Sequence, residues 1–323
     1  MKKFFGKLAC LALIIFVLQT SIGKYDIEFK ELAQLKEYAG EKTEILYLGD
    51  CTDSSPGKKE RDKRAISRML MDFNPHLRTR SITHSAYHLD IYLEFCRYIV
   101  KQGNCPRVII IPINLRSFSP QWDRNPHSQF ELEKIILRGG IRSRLLYAFY
   151  QPLMIFHYDF RRITREGFLN TPVFDGERQV GKMKDFLTVS AGENLEKIIR
   201  TKLFLSYMYG LQESHRKVKS MLEIARLLAA HHIRLIFYLT PIDIETGERY
   251  FPGRFTRQIK RNADLIDKLL AAQGVKVLDL SRGLGSNNFS SRHWVAPSER
   301  LREKGRLYVA QQINQLLTGI KIE

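Results

Sequence analysis

The sequence predicts a doubly wound α/β fold, in which a mainly parallel sheet of five strands carries helices on both faces. Short, continuously apolar segments recur along the chain, and amphipathic helical segments lie between them. Continuous apolar runs are typical of strands buried on both faces, and strands that alternate with helices favour parallel pairing. A chain of 323 residues with 44% hydrophobic content is also long enough to bury a sizeable core.

The elements follow one another in a regular order. The predicted strands are Ile45–Leu48, Arg80–Thr83, Val108–Ile113, Leu235–Thr240 and Val275–Leu280. The predicted helices are Asp62–Phe73, Leu89–Val100, Val218–His231, Arg257–Gln273 and Leu301–Leu317. Functional loops are expected at the carboxyl ends of the strands, as is usual for sheets of this type.

The N-terminal segment, residues 1–23, is basic and then apolar. Three lysines within the first seven residues precede an unbroken apolar run of 11 residues, Leu8–Leu18, whereas a comfortable membrane span needs roughly 20. This pattern is typical of a secretory signal, and a marginal membrane anchor is the alternative. A buried N-terminal helix is a third interpretation. We therefore expect an exported, membrane-associated protein on the periplasmic or extracytoplasmic side.

The remainder, residues 24–323, is predicted to be a single α/β domain with one insertion. Residues from about 120 to 210 interrupt the alternation of strands and helices, are rich in aromatic residues and arginines, and contain no clear strand. We expect a helical insertion over the functional edge of the sheet, which serves as a lid or a membrane-facing surface. Additional core helices are the alternative.

Reactive and polar side chains follow the strands. Gly49 ends the first strand and is followed by Asp50 and Cys51, and Asn114 follows the third strand. Because the carboxyl ends of parallel strands meet at one edge, these side chains are expected to lie together. A thiol with amide donors nearby suits attack on a carbonyl whose developing oxyanion needs N–H groups. His293, ahead of the last helix, is placed to act as the base.

With these residues in order, the sequence resembles the SGNH (GDSL-like) hydrolase superfamily over most of residues 44–317. Gly49-Asp50-Cys51 matches its Gly-Asp-Ser block, Asn114 its oxyanion-hole block, and His293 its closing block. The resemblance implies an esterase or O-acyltransferase with Cys51 as nucleophile, His293 as base and Asn114 as oxyanion donor. Residues 113–119 are similar to a membrane-anchored subset associated with acylation of cell-surface polysaccharides.

Several positions depart from that pattern. Cys51 stands in place of serine, Pro112 in place of a glycine, and Ser290 where the acid of the triad precedes His293. The glycine that follows the second strand in the family also has no clear match. A catalytically inactive protein of the same fold, which binds glycan or assists a membrane O-acyltransferase, is therefore the alternative function.

Four further residues are predicted to support the site or to contact substrate: Asp50, Arg116, Asp243 and Asp279. Asp50 and Asp279 are alternative partners for the base, although an aspartate in the position of Asp50 also shapes turns. Arg116 would pair with an anionic substrate or form a surface ion pair. Asp243 would contact substrate or cap a turn.

The net charge indicates which class of partner to expect, and the cysteines indicate which thiols stay free. The 52 lysines and arginines exceed the 34 acidic residues and give a net charge of +18, which favours anionic partners. Because an exported protein meets no cytosolic nucleic acid, we expect an acylated cell-surface polysaccharide or an anionic lipid surface. Cys96 and Cys105 would pair in an oxidising compartment and leave Cys51 as a thiol, with three thiols as the alternative. No cysteine or histidine spacing indicates a metal site, and no cofactor is expected.

Overall fold

The protein is described from a computed structural model, which covers residues 2–22, 29–54, 60–139, 163–187, 195–290 and 299–318. The strands of these residues are β1 (Ile45–Gly49), β2 (Thr79–Thr83), β3 (Val108–Ile113), β4 (Pro172–Asp175), β5 (Arg178–Lys182), β6 (Arg234–Leu239) and β7 (Val277–Asp279). The α-helices are α1 (Lys2–Ile22), α2 (Lys30–Gly40), α3 (Ile66–Phe73), α4 (Leu89–Gln102), α5 (Pro120–Asp123), α6 (Glu131–Arg138), α7 (Arg165–Leu169), α8 (Met183–Leu187), α9 (Leu195–Tyr207), α10 (Arg216–Ala230), α11 (Ile244–Tyr250), α12 (Phe255–Ala271) and α13 (Glu303–Thr318). Short 3₁₀-helices cover Leu115–Phe118, Pro126–Ser128 and Ser286–Asn288.

The main sheet has five strands in the order β2-β1-β3-β6-β7, and every neighbouring pair is parallel. This confirms the predicted fold class and all five predicted strands. The chain moves from β1 outward to β2 and then returns to place β3 on the other side of β1. The carboxyl ends of β1 and β3 therefore flank the switch point of the sheet, where ligands bind in open α/β folds.

Both faces of the sheet are covered, as the continuous apolar runs predict. Leu46, Ile109 and Ile111 belong to a core on one face that includes residues of α4, α10 and α12. Ile45 and Ile110 point to the opposite face, whose core includes residues of α3 and α13. Because successive residues of a strand point to opposite faces, a strand buried on both sides needs an apolar residue at nearly every position.

Residues 163–187 contain an antiparallel hairpin that the sequence interpretation missed. Strands β4 and β5 pair across the turn at Gly176 and Glu177, where Gly176 has a φ of +65°, a conformation that favours glycine. Gly176, at the first of the two turn positions, is the signal that would have found this turn. The insertion thus contains a hairpin as well as helices. Residues 140–162 of the predicted insertion lie outside the described residues.

Helix α1 is apolar, and its large side chains are exposed. They are Phe4, Phe5, Leu8, Leu11, Leu13, Ile14 and Val17. This exposure does not match the interpretation of α1 as a buried helix. None of the helices in the described ranges has the combination of length and apolar content that a membrane crossing requires.

All four cysteines are outside disulfides. Cys96 is fully buried on α4, and the Sγ of Cys105 lies 3.9 Å from the carbonyl oxygen of Ile99. The disulfide expected between Cys96 and Cys105 is therefore not formed, and the alternative of three thiols in the body of the protein holds.

Candidate active site

The first strand ends in a glycine because no other residue fits there. A Cβ atom on Gly49 would lie 2.6 Å from the ring of Tyr47 and 2.9 Å from the methyl group of Thr83. These distances are shorter than van der Waals contact, so a side chain at position 49 would push the following loop away from β2. Gly49 thus lets the chain turn tightly and present Asp50 and Cys51 at the edge of the sheet.

Asp50 shapes this loop. One oxygen of its carboxylate accepts hydrogen bonds from the backbone N–H of Thr52 at 2.8 Å and from the Thr52 hydroxyl at 2.7 Å. The other oxygen accepts from the Asn114 amide at 3.0 Å. The structure therefore places Asp50 in the site as the residue that fixes the loop and ties it to the end of β3.

The next acidic residue, Asp53, binds the N-terminal end of helix α3. Its carboxylate accepts from the backbone N–H of Ser67 at 2.8 Å and from the Ser67 hydroxyl at 2.9 Å. Burial raises the pKa of Asp53 to about 6, against the opposing effect of the Ser67 hydrogen bonds. Helix α3 begins at Ile66 and not at Asp62 as predicted. Its first two N–H groups, of Ile66 and Ser67, donate to the backbone carbonyl and the carboxylate of Asp53 and so do not need a cap from residues 62–65.

Cys51 is half-buried at the switch point. Its Sγ lies 3.5 Å from Nη2 of Arg116. Burial and the negative charge of Asp50 raise the pKa of the Cys51 thiol, and the positive charge of Arg116 opposes them. The resting group is accordingly a thiol with a guanidinium beside it.

Asn114 connects three polar groups at the end of β3. Its Nδ2 donates to Asp50 at 3.0 Å and to Oε2 of Glu299 at 2.6 Å, and its Oδ1 accepts from the backbone N–H of Arg116 at 3.0 Å. An amide group has two N–H bonds, and both are directed at carboxylates here. Asn114 can therefore donate to an oxyanion only after one of the carboxylates has moved or been protonated.

Glu299 is the site residue that sequence reasoning missed. It is 1% exposed and lies 3.2 Å from Nη2 of Arg116, while the Tyr207 hydroxyl donates to its Oε1 at 2.5 Å. Burial raises the pKa of Glu299, and Arg116 and Tyr207 oppose this effect. Glu299 belongs to none of the recognised sequence blocks, so nothing in the pattern singles it out.

Arg116 is buried between these groups and does not form a surface ion pair. Its guanidinium carbon lies 4.5 Å from the centre of the Trp122 ring, and its Nη2 contacts both Cys51 and Glu299. Burial alone would lower the pKa of Arg116, but the neighbouring Glu299 and Cys51 raise it. Arg116 is thus the central cation of the site.

Asp243 and Asp279 have other partners. Asp243 caps helix α11 by accepting from the backbone N–H of Thr246 at 3.0 Å, and it also accepts from the Ser286 hydroxyl. Asp279 accepts from the hydroxyl and backbone N–H of Ser281. It ends β7, which lies three strands from β1, or about 14 Å away at the usual strand spacing. The predicted base, His293, lies outside the described residues.

A cavity of about 500 Å³ lies next to this site. Its walls include the aromatic residues Phe118, Phe174 and Tyr209 and the polar residues Asp123, Arg124 and His215. The segment that carries Arg116 and Trp122 also supplies Phe118 and Asp123, so it separates the cavity from Cys51. Within the described ranges, no group of three or more histidine, cysteine or acidic side chains is arranged to hold a metal ion.

No family model matches the chain, and no curated protein matches its sequence. Similar solved structures include a GDSL-like lipase from Bacteroides thetaiotaomicron, with 11% identity over 89% of this chain and 98% of that chain at a TM-score of 0.37. The lipase/acylhydrolase from Enterococcus faecalis has 12% identity over 86% of this chain and 96% of its own, with a TM-score of 0.39. A carbohydrate acetylesterase from Sinorhizobium meliloti has 10% identity over 86% of this chain and 99% of its own, with a TM-score of 0.33. Likenesses at these levels carry no inference about the reaction of this chain.

Proposed function

We propose that this chain is an exported esterase or O-acyltransferase that acts on acyl groups esterified to a cell-surface glycan, with Cys51 as nucleophile. The position of the Cys51 thiol carries the proposal. It follows β1 at the switch point of a parallel sheet, is half-buried, and lies 3.5 Å from the Arg116 guanidinium. A thiol in such a place is accessible to a carbonyl and has a positive charge available to the thiolate.

The chemistry divides into two transfers. A base is needed to remove the thiol proton, because burial and the charge of Asp50 raise the pKa of Cys51 and keep the resting group protonated. The sulfur then bonds to the acyl carbon, and the C–O bond to the glycan breaks as the leaving oxygen takes up a proton. Water or a sugar hydroxyl next attacks the thioester, which restores the thiol and yields an acid or a new ester. The resemblance in sequence assigns the base to His293, and the backbone N–H of Cys51 is a donor for the oxyanion.

Replacement of Cys51 tests this directly. With p-nitrophenyl acetate as substrate, Cys51→Ala is expected to reduce hydrolysis by about a thousandfold or more, since the nucleophile is lost. Cys51→Ser is expected to keep measurable activity. Mass spectrometry of the wild-type protein should find one acetyl group on the peptide that contains Cys51.

The matched control is Cys105→Ala, which removes a half-buried thiol at the opposite end of β3 and should leave hydrolysis unchanged. An alanine variant at position 51 that hydrolyses the ester at the wild-type rate would contradict the proposal. A wild-type protein that hydrolyses no ester would instead support the alternative, an inactive protein that binds glycan or assists a membrane O-acyltransferase.

The glycan part of the proposal is supported by the cavity beside the site. A volume of about 500 Å³ is in the range of small-molecule sites, which combine apolar walls with a few polar groups. The partly exposed ring of Phe174 offers a surface for the C–H face of a sugar ring, and the exposed Arg124 offers a donor. The net charge of +18 also suits an anionic polymer or lipid surface.

Export is supported by the basic and apolar sequence of residues 1–23 and tested by a reporter fusion. A phosphatase that is active only outside the cytoplasm, fused after residue 30, is expected to gain activity in cells. Leu13→Asp, which places a charge in the middle of the apolar run, is expected to abolish that activity. A fusion that stays inactive, or one that is indifferent to Leu13→Asp, would contradict export through this segment.

A further inference from the structure

We propose that Arg116 is a positioning residue shared by Cys51 and Glu299, and that the charge of Glu299 controls how strongly Arg116 stabilises the Cys51 thiolate. This deepens the proposed function, on which it rests in taking Cys51 as the reacting group. Arg116 would then favour the thiolate form of Cys51, and the charge of Glu299 would disfavour it.

One nitrogen atom serves both partners. Nη2 of Arg116 lies 3.5 Å from Sγ of Cys51 and 3.2 Å from Oε2 of Glu299. Nη2 carries two N–H bonds, so the two partners compete for the positive charge of the guanidinium, and the Glu299 carboxylate offsets part of its attraction for a thiolate. Neutralising one acceptor should therefore strengthen the interaction with the other.

The guanidinium is also held in place. Its carbon lies 4.5 Å from the centre of the Trp122 ring, the backbone N–H of Arg116 donates to Asn114 at 3.0 Å, and the side chain is 8% exposed. Glu299 is fixed in turn by Asn114 at 2.6 Å and by Tyr207 at 2.5 Å. Since neither side chain points into solvent, water screens their charges weakly.

The charges around the thiol explain the direction of the effect. Among the described residues, the charged groups that act on Cys51 are Asp50 from its own loop, Arg116 from the segment after β3, and Glu299 from the segment before α13. Tyr92 of α4 and Tyr207 of α9 are neutral neighbours of this group, since burial raises the pKa of Tyr92 and Tyr207 donates to Glu299. Two carboxylates thus face one guanidinium, and a thiolate would be a third anion. With Glu299 neutral, one cation would face only Asp50 and the thiolate.

The test is the pKa of the Cys51 thiol, measured from the rate of iodoacetamide alkylation against pH and resolved by peptide mass spectrometry. Glu299→Gln keeps the volume of the side chain and is expected to lower that pKa by about one to two pH units. Arg116→Gln is expected to raise it, and Arg116→Lys, which keeps the charge, should give a value near that of the wild type. Cys105 in the same digest is the internal reference.

Asp264→Asn is the matched control, because it removes one negative charge from the surface of α12, where Asp264 is 57% exposed. It should leave the thiol pKa unchanged. A thiol pKa that is unchanged or raised in Glu299→Gln, or unchanged in Arg116→Gln, would overturn the inference. If an Arg116 variant fails to fold, Glu299→Gln still decides the sign of the effect. A wild-type protein that hydrolyses no ester, combined with the expected pKa changes, would count against the proposed function and leave this inference standing.

Discussion

Replacement of Arg306 by methionine is expected to lower the free energy of unfolding by about 3–5 kcal/mol. The Arg306 side chain is fully buried. Its guanidinium donates to the carbonyl oxygens of Arg64 at 2.9 Å, Asp62 at 2.5 Å and Leu301 at 2.9 Å, and it pairs with Glu60 at 2.9 Å. Methionine fills most of the same volume but donates nothing, so the buried carbonyl of Leu301, the partly buried carbonyls of Arg64 and Asp62, and the Glu60 carboxylate would lose a partner.

The measurement is urea unfolding of the two proteins, with Arg302→Met as the control. Arg302 lies one turn earlier and is exposed, so its replacement should change stability by no more than about 0.5 kcal/mol. Equal stabilities for Arg306→Met and the wild type would contradict this account. Because Arg306 holds residues 60–64 against α13, its loss should also loosen the segment that connects the Cys51 loop to α3.

Replacement of Asn114 by alanine is expected to lower stability by about 2–5 kcal/mol, because two buried carboxylates would each lose a donor. Asn114→Asp is expected to lower the free energy of unfolding further at neutral pH, since it adds a third carboxylate between Asp50 and Glu299. The native state of Asn114→Asp would bind protons more tightly than its unfolded state. Its deficit relative to the wild type should therefore shrink as the pH falls.

Urea unfolding at neutral and mildly acidic pH measures both effects. Asn104→Ala is the control, because the exposed Asn104 donates a single hydrogen bond to the carbonyl oxygen of Ala39 and should contribute little. If Asn114→Asp is as stable as the wild type at neutral pH, the two carboxylates do not face the amide as described.

The strands and part of the site could be predicted because both depend on local sequence. Val108–Ile113 is apolar at every position and is buried at every position. The loops directly after β1 and β3 carry Asp50, Cys51, Asn114 and Arg116. The rule that site residues follow parallel strands therefore predicts that these side chains lie together.

The same rule does not bring Asp279 or Asp243 into this group, because it fixes neither the order of the strands nor which side chains cap helices. The order places β7 at the edge, far from β1, and Asp243 is used to cap α11. Glu299 and Tyr207 were missed for a different reason. Their meeting depends on how the segment before α13 packs against α9, and no hydrophobic period or motif encodes that contact.

The order of the strands has a consequence for how the protein is made. Strand β1 pairs with β3, β3 pairs with β6, and Glu299 reaches Arg116 from beyond β7. Contacts between positions so far apart along the chain slow folding, because long loops must close first. A nascent chain that extends past β7 but not to position 299 contains every strand of the sheet and lacks the carboxylate that faces Arg116. The thiol therefore reaches its final electrostatic surroundings only near the end of synthesis.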